Sequence, residues 1–354
     1  MSAPAPAVMT AVVYHEPWRM TVERVERAAP AAGEVEIRIE TVGICGSDVH
    51  GFTGQSGRRP HGMVMGHEAC GVISAVGPGV SDARIGERVA LFNIIGDDPP
   101  APAEGDASFL QKRVVGVNLF RRGAMAEYLL VPSEVAFQVP DGVPPEIAVL
   151  AEPVAVVLHG WNRVAAAGAS AERVAIVGAG TIGLGAAIAA RSRGIRKVAV
   201  LDLVPEKAAR SRALGGTPIV VAETDTPEAV SARVGQALGG PADLVVDAAG
   251  TARSFTQAIA LVRKAGCILM IGNVEKHVAL PLQDVVNREI TLVGTYGFDG
   301  EAFATSVAAL PEMADVLSMF IDARCTLAEV PFVMTKLGRG DSRPLKTIID
   351  VWRS

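Results

Sequence analysis

The chain has 354 residues, of which 49% are hydrophobic and 20% charged, and its formal net charge is −5. This length suits about two domains, and the apolar share is large enough to build a core without disulfides. The small negative charge argues against a nucleic-acid partner or an anionic membrane surface, because both require a basic face.

The N-terminal part is predicted to consist of strands and turns. In EVEIRIETV (34–42), Val35, Ile37 and Ile39 alternate with charged residues, which is the period of a half-buried strand. Two more strands are predicted in ACGVISAVGPGV and IGERVALF, with Gly-Pro-Gly as the turn between them. Residues 93–123, with GDDPPAPAEGD at their centre, are predicted to form a long surface loop.

From about residue 156 short apolar strands alternate with helices, a pattern that predicts βαβ units and a parallel sheet. The predicted strands are RVAIVGAG, KVAVLDL, DLVVDAAG and CILMIGN, and the predicted helices are TIGLGAAIAARSRG, PEKAARSRALGG and ARSFTQAIALVRKAG. The alternation fades near residue 297. The tail segments TLAEVPFVMTKL and PLKTIIDVW could return to the first domain.

Neither a signal peptide nor a span of about 20 apolar residues is visible, so we expect a cytoplasmic protein without a membrane partner. Its cysteines are then expected to be reduced. Cys70, Cys267 and Cys325 lie among apolar or small neighbours and are predicted to be core residues, whereas Cys45 requires a separate argument.

The stretch GAGTIG fits a nucleotide-binding loop, because it follows a predicted strand and opens a predicted helix. Its three glycines give the pattern G-x-G-x-x-G. The first permits a tight turn, the second lets the backbone approach a pyrophosphate, and the third lets helix and sheet pack closely. The predicted cofactor contacts in this loop are Gly178, Gly180, Thr181, Ile182 and Gly183.

Asp202 ends the next predicted strand, 24 residues after Gly178. A carboxylate there would accept hydrogen bonds from the adenosine ribose and repel a 2′-phosphate, so NAD(H) is favoured over NADP(H). Lys207 could also reach the ribose. The alternative is that Asp202 merely caps the helix that starts at Pro205.

Two glycine-flanked turns suggest a metal site. GICGSDVH (43–50) and GHEACG (66–71) carry Cys45 and His67, each with polar neighbours, after predicted strands. Glu152 lies in the apolar stretch LAEPVAV, where a carboxylate is costly unless paired or metal-bound. Thiolate, imidazole and carboxylate suit zinc, and three protein ligands leave a fourth position for water or substrate. The alternative is a structural cysteine and a hydrogen-bonded core histidine.

The runs GICGSDVH, GHEACGVISAVGPGV, GERVAL, AEPVAV and VAIVGAGTIG together resemble the zinc-dependent medium-chain dehydrogenase/reductase family over nearly the whole chain. The chain looks most similar to the branch of sorbitol, threonine and galactitol-phosphate dehydrogenases, whose third ligand region reads Glu-Pro. The resemblance implies Cys45, His67 and Glu152 as zinc ligands. It implies Glu68 as an alternate ligand and Ser47 and His50 as a proton relay.

The resemblance also implies an α/β protein, with a GroES-like β-rich catalytic domain at 1–155, completed by 298–354, and a Rossmann NAD-binding domain at 156–297. Because 93–123 contains no cysteine, we expect one catalytic zinc per chain and no structural zinc. A homo-oligomer, dimer or tetramer, is implied as well. The nicotinamide is expected between the domains, held by the backbone at Ile271, Gly272, Gly294 and Thr295.

Together the sites predict hydride transfer between a secondary alcohol or polyol, or its ketone, and NAD(H), with zinc as the Lewis acid. A metal-free reductase of enones or quinones is disfavoured, because it has no need for all four candidate ligands. A non-catalytic NAD(H)-binding protein would show a broken ligand set or relay, and none is broken here. Near His67, the loop residues Gln55, Arg58, Arg59 and His61 could bind a phosphate or carboxylate of the substrate, or simply be solvated.

Overall fold

A computed structural model describes residues 8–57, 59–95, 114–117 and 123–353. The chain divides into two compact units, which we call the first unit (Met1–Glu152 with Phe303–Ser354) and the second unit (Pro153–Ala302).

The regular elements follow in chain order. The strands are β1 (Val8–Glu16), β2 (Arg19–Glu26), β3 (Glu34–Ile44), β4 (Met63–Val64), β5 (Glu68–Val76), β6 (Arg88–Leu91), β7 (Tyr128–Pro132), β8 (Ala136–Gln138), β9 (Arg173–Val177), β10 (Lys197–Asp202), β11 (Thr217–Val220), β12 (Ala242–Asp247), β13 (Val262–Met270), β14 (Thr291–Gly294), β15 (Ile321–Thr326) and β16 (Lys346–Asp350). The helices are α1 (Gly46–Phe52), α2 (Pro145–Ala148), α3 (Ala151–Ala166), α4 (Thr181–Ser192), α5 (Pro205–Ala209), α6 (Pro227–Leu238), α7 (Ala252–Leu261), α8 (Leu282–Asn287), α9 (Gly300–Ser318) and α10 (Val330–Arg339).

The first unit is built on a seven-stranded sheet of order β15-β16-β3-β5-β6-β8, with β7 also paired to β3, and on a three-stranded sheet of order β2-β1-β4. β16 comes from the end of the chain and runs antiparallel to β3, with Thr347 opposite Ile44. This pairing carries Lys346 to the end of β3 that precedes Cys45. The tail therefore contributes directly to the sheet that positions the candidate metal ligands.

β3 contains the predicted strand 34–42 and extends it to Ile44. One residue departs from the predicted alternation: Glu36 belongs to the charged face, yet it is buried. The reason is local charge pairing, because the guanidinium of Arg27 donates to both carboxylate oxygens of Glu36, at 2.6 and 2.8 Å.

The second unit contains a six-stranded sheet of order β11-β10-β9-β12-β13-β14, and all neighbouring strands are parallel. Numbered within this unit the order is 3-2-1-4-5-6, which is that of a Rossmann dinucleotide-binding domain. The prediction of an α/β protein with a Rossmann domain and a β-rich domain is therefore confirmed.

Two details of the second unit differ from the prediction. The helix predicted through residue 266 ends at Leu261, because the chain then pairs with β12, bulges between Val262 and Cys267, and places Ala265 at φ +53°. The sequence pattern also does not predict β11 and β14, which are four-residue strands at the two edges of the sheet. Such short edge strands leave little periodicity to detect.

Each unit has its own apolar core. Cys70, Cys267 and Cys325 are buried, as predicted, and all four cysteines are free thiols. Within the described ranges, no helix is both long and apolar enough to cross a bilayer.

The carboxylate of Asp243 in β12 forms an ion pair with Arg173 of β9, and we expect the stability of the protein to fall in acid as this carboxylate is protonated. Its carboxylate accepts bonds from the Glu172 and Arg173 main chain and from the Arg173 and Arg263 guanidinium groups. Burial opposes ionisation, but these donors lower the pKa of Asp243 well below its usual range. A lowered folded-state pKa stabilises the protein above the unfolded value of about 3.9, and that contribution is lost as pH falls through the folded value.

We expect Asp243→Asn to lower the free energy of unfolding at pH 7 by about 2 kcal/mol, the scale of bonds to a charged group. The loss should shrink as the pH falls below about 4, because the carboxyl of the unfolded chain then binds protons while the folded carboxylate is still ionised. Urea unfolding at pH 7 and at successively lower pH measures both effects, with the more exposed Asp225→Asn as a control expected to change stability less. An equal loss at every pH would contradict the assignment to charge.

Candidate active site

The two turns that carry Cys45 and His67 meet at one end of the seven-stranded sheet. β3 ends at Ile44, directly before Cys45, and β5 begins at Glu68, directly after His67. Because β3 and β5 are antiparallel neighbours with Gly43 opposite Glu68, the end of one strand lies beside the start of the other. Strand pairing thus brings together two turns that are separated in the sequence.

Cys45, His67 and Glu68 form a cluster of potential metal ligands. One donor atom of each residue lies within 4.8 Å of the other two. His67 and Glu68 are buried, whereas Cys45 is half-buried and its neighbour Ser47 is exposed. A thiolate, an imidazole and a carboxylate form a suitable ligand set for zinc, with a fourth position left for water or substrate. The carboxylate of this cluster is Glu68, the predicted alternate ligand.

Polar groups of α1 orient the imidazole of His67. Its Nδ1 lies 3.3 Å from Oδ1 of the fully buried Asp48, and its Nε2 lies 3.3 Å from Ser47 Oγ. Asp48 also accepts a bond from the Cys45 main-chain N–H at 3.1 Å. Burial opposes ionisation of Asp48, but His67 and then Arg59 lower its pKa overall. A histidine with a carboxylate at one nitrogen presents the other nitrogen to a metal.

Lys346 forms an ion pair with Glu68. Lys346 Nζ lies 2.7 and 2.6 Å from the two carboxylate oxygens and 3.3 Å from the Ile44 carbonyl oxygen, and both side chains are buried. Burial disfavours the charged amine, but the charge of Glu68 raises the pKa of Lys346 overall. Gly43 leaves the room for this carboxylate, since a Cβ at position 43 would collide with Glu68 Oε2.

Glu152, in the first turn of α3, is connected to the same site through Asn93. The Asn93 side-chain amide donates to Glu152 Oε1 at 2.9 Å and to the His67 carbonyl oxygen at 3.2 Å. Burial, and then the charge of Glu68, raise the pKa of Glu152 to about 7. Glu152 is not one of the three clustered donors, so its assignment as a zinc ligand stays a prediction.

The buried charges around His67 fit a divalent cation. Among the residues that the structure describes, four acidic groups converge there and two permanent cations accompany them: the acids are Cys45, Asp48, Glu68 and Glu152, and the cations are Arg59 and Lys346. Ionised acids in a dry site need compensation, and a doubly charged metal ion supplies what the side chains lack.

His50 lies one turn after Ser47 on α1, so the two predicted relay residues share a face of the helix. His50 Nδ1 lies 2.5 Å from Gln55 Oε1. Gln55, one of the loop residues considered for substrate binding, therefore contacts the imidazole of the predicted relay.

The predicted nucleotide loop has the conformation that its glycines were expected to permit. Gly178 has φ +99°, which favours glycine. A Cβ at Gly183 would fall on the Gly178 carbonyl oxygen, so only glycine allows this approach between α4 and the end of β9. A Cβ at Gly180, in contrast, would meet no atom of the described part of the chain within 4 Å. The space beside Gly180 is open, as a pyrophosphate at the N-terminus of α4 would require.

Asp202 is fixed at the end of β10 by two main-chain groups. Its Oδ2 accepts a bond from Ala179 N–H and its Oδ1 accepts one from Val204 N–H, both at 2.8 Å. The carboxylate is thereby joined to the glycine loop, and each oxygen retains a lone pair for a ligand. The N-cap of α5 is Val204, without a side-chain cap, so Asp202 is not the cap of that helix. Lys207 lies within α5.

The residues predicted to hold the nicotinamide lie at the carboxyl ends of β13 and β14. Ile271 and Gly272 N–H both donate to the Asp247 carbonyl oxygen, and Thr295 N–H donates to the Met270 carbonyl oxygen. These three N–H groups are therefore used within the sheet. Contacts of Ile271, Gly272 and Thr295 with a carboxamide would have to use carbonyl oxygens or the buried Thr295 hydroxyl, which has no hydrogen-bond partner among the described residues.

The sequence matches two families of alcohol dehydrogenase domains and a relative of nearly the same length. Residues 31–141 match the alcohol dehydrogenase GroES-like domain family, and residues 181–313 match the zinc-binding dehydrogenase family. L-galactonate-5-dehydrogenase of Escherichia coli (strain K12) is 31% identical over 330 residues, which cover 91% of this chain and 94% of the relative. The chain belongs to the zinc-binding alcohol dehydrogenase family. The predicted family, enzyme class, and zinc and NAD cofactors of this dehydrogenase are confirmed.

Further relatives of the dehydrogenase support the predicted branch. Sorbitol dehydrogenase of Gallus gallus is 30% identical over 300 residues, which cover 81% of this chain and 82% of the relative. Among solved structures, alcohol dehydrogenase TADH from Thermus sp. ATN1 is 27% identical, with a TM-score of 0.80 over 97% of this chain and 100% of that one. These similarities do not favour the metal-free or the non-catalytic alternative.

Arg59, one of the loop residues considered for substrate anions, departs from both sequence interpretations, whereas Gln55 and His61 are exposed. Arg59 is buried, with only 2% of its side chain exposed, so it is neither solvated nor displayed to a substrate. His61 Nδ1 faces the His15 carbonyl oxygen at 3.1 Å. Arg58 lies outside the described residues.

Three residues of the dehydrogenase site were not found from the sequence. Asn93 follows a strand and Lys346 opens one, and neither position carries a motif signal without knowledge of the strand pairing. Asp48 was noted only as a polar neighbour of Cys45. It lies three residues after Cys45, which is the N-cap of α1, and this spacing is typical of a carboxylate that caps a helix. The absence of a structural zinc stays a prediction, because residues 96–113 and 118–122 lie outside the described ranges.

Proposed function

We propose that this dehydrogenase oxidises a secondary hydroxyl of a polyol or polyhydroxy acid to the ketone, or catalyses the reverse reaction, with NAD(H) and one catalytic zinc per chain. The observation that carries the proposal is the Cys45, His67 and Glu68 cluster, whose three donors leave a position for a substrate oxygen. The substrate class is supported by the similarity to L-galactonate and sorbitol dehydrogenases.

The side chains of the site have distinct proposed roles. Cys45, His67 and one carboxylate, either Glu68 or Glu152, would hold zinc, which supplies Lewis acidity toward the substrate oxygen. Ser47 is an exposed residue whose Oγ lies 3.3 Å from His67 Nε2, and this hydroxyl is placed to take the proton of the substrate hydroxyl. His50 lies one turn away and could accept that proton at Nε2, because its Nδ1 is directed at Gln55.

We infer that the first unit is the catalytic domain and the second unit the cofactor domain. The candidate ligands belong to the first unit, and the glycine loop and Asp202 belong to the second. We further propose that the enzyme forms a homo-oligomer. The second unit exposes a run of large apolar side chains that association would cover, namely Val278, Leu280, Leu282 and Val286. A cytoplasmic location stays a prediction from the sequence.

The function is tested by coenzyme and substrate assays of the wild type and of Asp202→Asn. We expect polyols and polyhydroxy acids to reduce NAD⁺, and we expect the ratio of kcat/KM for NAD⁺ over NADP⁺ to fall at least about tenfold in the variant. Asn keeps the shape of the side chain but removes the charge that repels a 2′-phosphate, and bonds to charged groups are worth about 1.5–3 kcal/mol. Glu206→Ala, an exposed acid of α5, is the matched control.

Three results would contradict the proposal, two of them by rejecting Asp202 as the ribose-binding carboxylate. A wild-type enzyme that prefers NADP⁺ would mean that Asp202 does not contact the adenosine ribose. An unchanged coenzyme ratio in Asp202→Asn would mean that the carboxylate only fixes the main chain of Ala179 and Val204. Activity confined to simple primary alcohols would reject the proposed substrate class.

A further inference from the structure

Arg59 is a buried cation beside the candidate metal ligands, although it is neither a ligand nor a relay residue. Its Nη2 lies 3.9 Å from Asp48 Oδ1 and donates to the Ser47 carbonyl oxygen at 3.3 Å. Its Nη1 donates to the Val117 carbonyl oxygen at 2.7 Å. The guanidinium thus contacts two residues of α1 and one residue of a separate segment.

Asp48 connects Arg59 to two of the three clustered ligands, Cys45 and His67, which lie directly before α1 and β5. One carboxylate oxygen accepts from the Cys45 N–H, and the other faces His67 Nδ1. Asp48 has no exposed surface, so its charge requires compensation from within the protein. A guanidinium remains charged at every working pH and provides that compensation permanently.

The packing of α1 leaves a place for this guanidinium. A Cβ at Gly51 would lie 2.8 Å from both Cγ and Nε of Arg59. Gly51 lies inside a helix, where glycine is otherwise unfavourable, and its φ is not in the left-handed region. The absence of a side chain at position 51 therefore has a packing reason, which is the room needed by Arg59.

We propose that Arg59 is a positioning residue of the metal centre, which holds the Asp48 carboxylate against His67 and secures the first turn of α1 to Val117. The inference rests on the proposed function, because it takes Cys45 and His67 as metal ligands. Arg59 acts through Asp48 and Ser47, and it does not touch the metal.

The test compares zinc retention in purified holoenzyme variants. In Arg59→Met we expect zinc transfer to the chelator 4-(2-pyridylazo)resorcinol to be about 10- to 100-fold faster, the usual effect of removing a partner that orients a ligand. Arg59→Lys should recover part of the loss, because the charge is kept and the fork geometry is not. The absorption spectrum of the cobalt-substituted enzyme should shift in Arg59→Met, since the His67 ring is no longer fixed.

Arg27→Met is the matched control. Arg27 is also a buried arginine of the first unit with a carboxylate partner, Glu36, and its side chain is 8% exposed. It contacts none of the candidate ligands. Arg27→Met should lower stability while the zinc release rate remains that of the wild type.

Gly51→Ala provides a second route that keeps the arginine. The added methyl group should displace the Arg59 side chain and accelerate zinc release, although alanine favours the helix. In an Arg59→Met background the same substitution should have no further effect, because the two changes act on one contact. This variant also decides the matter if Arg59→Met fails to fold.

The outcomes separate the inference from the function on which it rests. Wild-type release rates in Arg59→Met and Gly51→Ala, or equal acceleration in Arg27→Met, would overturn the role of Arg59 and leave the metal site intact. Retention of zinc in Cys45→Ala would instead reject the proposed metal site itself.

Discussion

Replacing Cys45 with alanine is expected to remove zinc from the site and to lower kcat/KM for alcohol oxidation by at least about 10³-fold. The thiolate is the softest donor of the cluster, and its loss leaves an imidazole and a carboxylate that Lys346 already engages. Lewis-acid stabilisation is worth several kcal/mol, and each 1.36 kcal/mol is a tenfold change in rate. Zinc per chain by elemental mass spectrometry and steady-state kinetics measure the two losses.

Cys325→Ala is the control for this substitution. Cys325 is also a cysteine of the first unit, but burial raises its pKa to about 12, so it remains a thiol without metal-binding character. We expect that variant to keep both its zinc and its activity. A Cys45→Ala enzyme that retains full zinc content would show that the ion is bound elsewhere.

The two carboxylates that are candidate zinc ligands, Glu68 and Glu152, differ in what compensates their charge. Glu68 is paired with a buried ammonium group through both oxygens, whereas the amide of Asn93 is the hydrogen-bond partner of Glu152 Oε1. The Glu68 carboxylate therefore already has a cationic partner, whereas Glu152, whose pKa burial and then the charge of Glu68 raise to about 7, would gain more from a nearby cation. This contrast supports Glu152 as a third ligand in spite of its position outside the three-donor cluster.

The site residues that could be predicted from the sequence lie in short stretches whose local geometry fixes their positions. Gly178, Gly183 and Asp202 sit in a strand–turn–helix unit whose spacing fixes their positions. Cys45 and His67 were identified because polar residues in glycine-flanked turns stand out from the apolar strands before them. In each case a short stretch of chain carries both the pattern and its structural reason.

The residues that the sequence did not predict depend on contacts between distant segments. Lys346 meets Glu68 across 278 positions, and Asn93 meets Glu152 across 59. Arg59 could not be distinguished from a solvated loop residue, because its burial results from Val117 and from the glycine at position 51. A single sequence does not specify which strands pair, so it does not specify which charges are brought together.

Replacing Gly183 with alanine is expected to destabilise the second unit by at least about 2 kcal/mol and to weaken NAD⁺ binding at least about tenfold. The added Cβ would collide with the Gly178 carbonyl oxygen, which is main chain and cannot rotate away, and it would lie 3.3 Å from Ile176 Cγ2. α4 must then move away from β9 and take its N-terminal N–H groups with it. Urea unfolding and NAD⁺ titration by calorimetry measure the two effects.

Gly180→Ala, in the same loop, distinguishes an effect on cofactor binding from an effect on helix packing. A Cβ there meets no atom of the described residues within 4 Å, and φ is −79°, so the free energy of unfolding should change by less than about 1 kcal/mol. The methyl group would nevertheless occupy the space through which a pyrophosphate reaches the backbone, so the Kd for NAD⁺ should rise at least about tenfold. Unchanged NAD⁺ affinity in Gly180→Ala would mean that the pyrophosphate does not bind beside Gly180. Unchanged stability in Gly183→Ala would mean that α4 can move away from β9 at little cost in free energy.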